Sequence, residues 1–177
     1  MADDAAPPQD PAGPFEPREP FDAAVKAETI AEIADQPARL IATLAGLTDD
    51  QLDTTYRNWT VRQIVGHLAD AHMHMTLRVR YALAEDHPTV TGFEEGDWVR
   101  LPGWETEPVA LPRDVFAETQ TRLTHLLSQL TDEQFGRTFH HGKYRKDYVL
   151  KNYVQAIAWH GRHHVAQIEW LRRSRGW

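Results

Sequence analysis

The 177-residue chain contains no cysteine. That excludes a disulfide framework, iron–sulfur clusters, cysteine-ligated zinc sites and a cysteine nucleophile. Any thiol chemistry would have to use a thiol brought in from outside. The sequence also holds no run near the roughly 20 consecutive apolar residues of a membrane helix. Met1 to Pro8 supplies neither a basic n-region nor an apolar h-region, so no signal peptide is expected and the cytoplasm is the default location. Strand-like alternation is missing too, and nothing in the chain reads as a β-element. One domain is the natural count for this length, and 41% apolar with 25% charged residues is the balance of a globular protein.

Positive charge is scarce over most of the chain, which carries 19 Lys and Arg against 26 Asp and Glu, a net −7. Nine of the basic residues fall between Arg137 and Trp177, where only Asp147 and Glu169 oppose them. Such a segment suits an anionic small ligand or a solvated helix end. Without interleaved aromatics, and on a net negative protein, it does not predict a nucleic-acid partner.

Residues 1–20 hold six of the eleven prolines and no apolar periodicity, so they read as an extended or disordered arm. The single domain spans 21–177. Val25, Thr29, Ile33, Leu40, Leu44 and Leu47 recur at helical spacing from Phe21 onward, with a kink or break expected at Pro37. A second helix opens at the capping box Thr60-Val-Arg-Gln63 and runs to about Glu85. His87 to Pro112 is a long irregular stretch whose tryptophans predict packing onto the body, as a lid or rim would. The third helix covers Leu111 to Leu130. The fourth covers Tyr148 to Ser174 and ends at Gly176. These periods predict an all-α four-helix bundle with a long crossover between helices two and three, which allows that pair to run parallel. Leu44-Ala-Gly-Leu-Thr48-Asp-Asp-Gln51 is echoed by Leu127-Ser-Gln-Leu-Thr131-Asp-Glu-Gln134. Either helix-end signals simply look alike, or a helical hairpin is duplicated.

Histidine is the abundant chemical resource, at ten residues. On helix four, His164 falls within the arc of Val154, Ile157, Gly161, Ile168 and Leu171. His160 sits at its edge one turn away, and His163 points elsewhere. Two histidines at i and i+4 can hold one divalent ion; the bland alternative is a pair of separately hydrogen-bonded core histidines. Helix two offers a third ligand from His67 or His74, which spacing does not separate, with His72 at the other border of the apolar stripe. Asp70 is a candidate ligand, imidazole-orienting group or base. His140 and His141 read as a solvated loop, and His87 and His125 carry no functional signal.

Four blocks give the chain a family likeness: Gln51-Leu-Asp-Thr-Thr-Tyr-Arg57, Trp59-Thr-Val-Arg-Gln63, His67-Leu-Ala-Asp70-Ala-His72-Met73 and Trp159-His160-x-x-His163-His164-x-Ala166-x-Ile168. With Pro17-Arg-Glu-Pro20 and the terminal Gly176-Trp177, they span nearly the whole sequence. The chain resembles the bacillithiol transferases, also described as metal-dependent hydrolases, in the DinB-like four-helix superfamily. The resemblance implies one divalent metal, zinc or nickel, on His67, His160 and His164, and a homodimer. The chain departs from the family in a shorter turn at Arg57-Asn58-Trp59. It departs again in a more basic Gly142-Lys-Tyr-Arg-Lys146, where a cosubstrate preference would arise.

Three ligands leave a coordination position open, as catalytic sites do. The leading expectation is an S-transferase conjugating bacillithiol or a similar small thiol to electrophiles in detoxification, through the thiol's deprotonation at the metal. A metal-dependent hydrolase using activated water is the alternative, though no glutamate lies between His160 and His164 to act as its base. The third reading is a non-catalytic metal-binding stress-response bundle.

Overall fold

Thr60 and Gln63 cap the second long helix reciprocally: the Thr60 side chain accepts from the Gln63 backbone, and the Gln63 side chain from the Thr60 backbone. The same device recurs at Thr48/Gln51 and Thr131/Gln134, each opening a single turn of helix. In the computed structural model, which describes residues 6–177, the chain runs in two similar halves. The first is α1 (Ala23–Leu44), α2 (Asp49–Leu52), a hairpin of β1 (Thr55–Tyr56) and β2 (Trp59–Thr60), then α3 (Val61–Ala84). The second is α5 (Ala110–Leu127), α6 (Asp132–Phe135), a hairpin of β4 (Thr138–His141) and β5 (Lys146–Val149), then α7 (Leu150–Arg175). Between them lie β3 (Thr89–Val90) and α4 (Glu95–Trp98). The echo in sequence thus marks a repeated order of elements.

Helix directions follow from two apolar clusters. One gathers Ile33, Val79, Leu123 and Val154; the other gathers Leu40, Leu68, Phe116 and Ile168. So α1 and α7 run from the first cluster to the second, and α3 and α5 run back. The α3–α5 pair is parallel, as the long crossover allows. Burying each Leu, Ile or Phe in these clusters contributes roughly 1.5–3 kcal/mol. The two clusters leave a polar layer between them at mid-bundle, on Gln36, His67, His72, Gln120, His160 and His164.

Two expectations need correction. The first helix does not break at Pro37, which sits inside α1. Its neighbours Ile33, Gln36 and Leu40 are all buried, so tertiary packing outweighs the lost hydrogen bond. The chain is also not free of strands: β3 pairs parallel with β4, and β4 antiparallel with β5. These strands are two to four residues long, too short for alternation to register. The third helix begins where expected, with buried Pro112 in its first turn, where a missing N–H leaves no intrahelical bond unmade.

At the end of α7, Gly176 adopts φ 73° and its N–H closes on the Arg172 carbonyl. The Arg172 guanidinium reaches the Thr43 and Ala45 carbonyls at 2.9 Å, capping the end of α1. Part of the basic tail therefore has a structural use. The first five residues of the N-terminal arm lie outside the described residues. The rest of the arm is tied down through its carbonyls: Pro8 accepts from Tyr56 Oη, and Gly13 from Trp159 Nε1. No described helix is long and apolar enough to cross a membrane.

Candidate metal centre

The second turn of α3 and the middle of α7 face each other across the polar layer, and three imidazoles meet there. One ring nitrogen from each of His67, His160 and His164 lies within 4.8 Å of the other two. His67 Nε2 and His160 Nε2 are 3.2 Å apart. Nitrogens on a tetrahedral zinc-sized ion, at about 2.0–2.1 Å from it, sit about 3.3 Å from one another, so this separation fits an ion held between them. His164 Nδ1 bonds Gln167 Oε1 at 2.9 Å, which leaves Nε2 as its ligand atom. No other group of three or more His, Asp or Glu among the described residues is placed to hold an ion.

Burial sets the charge state of these rings. It pushes His67 down to about 4 and holds His160 and His164 well below the usual histidine range, with neighbouring histidines such as His67 adding to the effect on both. All three are neutral at pH 7, which is the form that donates a lone pair to a metal.

The nitrogens open onto a cavity of about 540 Å³. Phe15 of the N-terminal arm, Trp59 of β2, Phe93 of the crossover and Trp159 of α7 give it aromatic walls. Lys143 and Tyr144 from the β4–β5 turn, with Lys146 at the start of β5, form a basic side. Among the described residues Glu95 is the one carboxylate lining it, bonded to Lys143 Nζ at 2.9 Å. Burial works against the charge of Glu95, but the Lys143 bond prevails and holds its pKa below the usual range.

The other expected site residues are dispersed. Asp70 lies outside this cavity, beside Gly66, Trp98, Trp104 and Glu107 under the crossover. Burial first, and Glu107 second, raise its pKa to about 6. It lines a separate cavity that contains none of the three imidazoles, so it does not orient them. His74 also leaves the cluster, stacking on Phe93 with ring centroids 4.5 Å apart. His163 does not point away as expected; it is buried, lines the same cavity and stacks on Trp159 at 4.8 Å. The wide burial of α7 leaves it almost no solvent face.

His141 is corrected as well. On β4, Phe139 and His141 turn inward and His140 outward, so His141 is buried and lines the cavity. His140 instead bonds Asp147, and His87 bonds Thr138, on the outer side of the sheet. Sequence reasoning also undervalued His72, which is 0% exposed. Its Nε2 lies 3.2 Å from His160 Nδ1 and its Nδ1 3.0 Å from Gln120 Oε1. The available signal was the inward placement of Gln36 and Gln120, polar residues at apolar positions of their helices.

Comparison with known proteins bears on the family and the fold. The DinB superfamily profile matches residues 32–168. YfiT of Bacillus subtilis is 37% identical over 169 residues, covering 94% of this chain and 95% of its own. A Geobacillus thermodenitrificans protein named in the same terms has the same identity and coverage. A solved structure of YfiT, described as a "probable metal-dependent hydrolase with an unusual four-helix bundle topology", superposes with a TM-score of 0.91 over 95% of this chain and 97% of that one. With its profile match, its relatives and its helix order in accord, the chain belongs to the DinB superfamily.

Proposed function

We propose that this protein is a metal-dependent thiol S-transferase, with His67, His160 and His164 as metal ligands and bacillithiol or a similar small thiol as cosubstrate. The observation that carries it is a cluster of three neutral imidazoles opening onto an aromatic and basic cavity whose one carboxylate is tied to a lysine. Zinc or nickel suits three imidazoles, and either would supply Lewis acidity that lowers the pKa of a small thiol. The thiol passes its proton to solvent, a sulfur–carbon bond forms, and a halide departs with the carbon–halogen electron pair. With an epoxide, the carbon–oxygen bond opens and the oxygen takes up a proton.

Lys146 places positive charge where an anionic thiol would lie, while Lys143 is already paired with Glu94 and Glu95; Trp59, Phe93 and Trp159 exclude water and accept an apolar electrophile. Arg162 does not share in this; it pairs with Glu32 outside the cavity. The cytoplasm, where small thiols stay reduced, is the matching compartment, and a homodimer is the proposed assembly, read from molar mass by light scattering.

A metal-dependent hydrolase is the second reading, supported by the description of YfiT. It would need a base near pH 7, and Glu95, held ionised by Lys143, is poorly tuned for that. Tag-free protein and His160→Ala should be compared for bound metal and for conjugation of a generic electrophile with bacillithiol, other thiols or none. The transferase reading expects metal-dependent conjugation that the substitution abolishes. Stoichiometric metal without thiol turnover would replace it with hydrolysis, and inert metal whose loss only destabilises the fold would make the protein a binding bundle.

A further inference from the structure

Behind His160, away from the cavity, a buried chain of polar groups runs across the bundle: His160 Nδ1, His72, Gln120, Gln36 and the Ala158 carbonyl. We propose that His72, Gln120 and Gln36 act as positioning residues that fix the tautomer of His160, keeping its proton on Nδ1 and its Nε2 lone pair toward the metal. This rests on the metal-centre reading above.

The direction of the chain is set at its far end. Gln36 Nε2 lies 2.7 Å from the Ala158 carbonyl oxygen, which accepts and cannot donate. The amide nitrogen must therefore face it, and Gln36 Oε1 points the other way. That oxygen takes a bond from Gln120 Nε2 at 2.5 Å, which turns Gln120 Oε1 toward His72 Nδ1, 3.0 Å away. An amide oxygen only accepts, so His72 carries its proton on Nδ1. A neutral imidazole has one N–H, which leaves His72 Nε2 as an acceptor. It lies 3.2 Å from His160 Nδ1, and the proton of that contact must belong to His160. His160 Nε2 is then bare, on the side where His67 and His164 converge.

Each link is held in place by burial. His72 and Gln120 are 0% exposed and Gln36 is 2% exposed, so no water competes for the bonds. Gly161 belongs to the same device. A Cβ there would fall 2.1 Å from Gln36 Oε1, so the helix that carries His160 lacks a side chain where the glutamine amide must pass. The His164 side differs: Gln167 joins His164 to His163 Nε2 at 3.0 Å, and no backbone carbonyl fixes which way its amide faces. The relay thus holds one ligand of the three in a defined tautomer before any ion arrives.

Two-bond 1H–15N correlation spectra of metal-free, 15N-histidine-labelled protein at pH 8 test this directly. Wild type should show both His72 and His160 protonated on Nδ1. Finding either ring protonated on Nε2 would overturn the relay, whatever the variants do. Gln120→Leu removes the acceptor for His72 without touching His160. It should shift the His160 signature toward a mixture of tautomers and weaken zinc affinity, read by chelator competition, about 10- to 100-fold. His72→Phe, which deletes the contact to His160 outright, should do the same. Unchanged signature and affinity in folded Gln120→Leu would reduce the network to packing. Failure of wild type to bind zinc or nickel would instead remove the metal reading, leaving the tautomer result to stand or fall alone.

Discussion

At the scale of single residues, neutrality is what burial supplies. A histidine at its ordinary pKa near 6.5 would lose metal affinity steeply below that pH, because its proton competes with the ion. His67 is held at about 4, so its competition begins only there. Zinc affinity should therefore stay nearly level from pH 8 to pH 6 and fall steeply as pH drops toward 4, measured by chelator competition across a pH series. Asp70 shows the opposite shift. Its carboxyl is raised to about 6 in the folded protein against 3.8 ordinarily, so folding favours the protonated form. Its contribution is fully present below pH 3.8 and is lost as pH rises through 6. Asp70→Asn should accordingly stabilise the protein at pH 8 and be neutral at pH 3.5 in denaturant titrations. The gain is about 1 kcal/mol once the shift is discounted for a half-exposed group.

At the scale of elements, the crossover is clamped onto the bundle. Trp104 lies over Gly66, where a Cβ would come 1.3 Å from the indole ring. Phe93 and Trp98 pack together at 4.9 Å, and His74 stacks beneath them. Gly66→Ala must expel the indole, at an expected cost of about 1–3 kcal/mol for overpacking. The measurable consequence is faster proteolysis between residues 99 and 107, with altered tryptophan fluorescence. The four long helices and their three capping boxes were legible in the sequence because each rests on local chemistry: an apolar period and a Thr-x-x-Gln spacing. The short strands were not. Two residues cannot alternate, and β4 spells its inward positions with Phe139 and His141, the second of which reads as solvated until β3 and β5 flank it. The break that Pro37 could have caused is absent for a related reason, since propensity describes an isolated helix and α1 is held by its neighbours.

For the whole molecule, the polar layer separates the two apolar clusters at mid-bundle. The two clusters close around it only because most of its polar atoms find partners within the layer; among the described residues His67 Nδ1 has none. An ion bound at this layer, linking α3 to α7, should stabilise the fold by mass action. At one hundred times its Kd the gain is about 2.7 kcal/mol, or roughly 5–10 °C in Tm for a chain of this size. Thermal denaturation with zinc and then excess chelator should show the rise and its reversal, and His164→Ala should show neither.

The sequence by itself determined the helices, their caps, the crossover that makes α3 and α5 parallel, and the His160–His164 spacing on one face of α7. All of these depend on residues within a few turns of one another. It left His67 and His74 tied by periodicity, the resemblance alone deciding for His67. It also left Asp70 in the wrong place and His72, His141 and His163 undervalued. Tertiary structure decided these, because a side chain's partners across a bundle depend on how neighbouring helices are rotated and staggered. That rotation is set by the joint packing of both apolar clusters, and no single helix carries it. It brought His67 to within 3.2 Å of His160 across 93 residues of chain and aligned two glutamines behind His72.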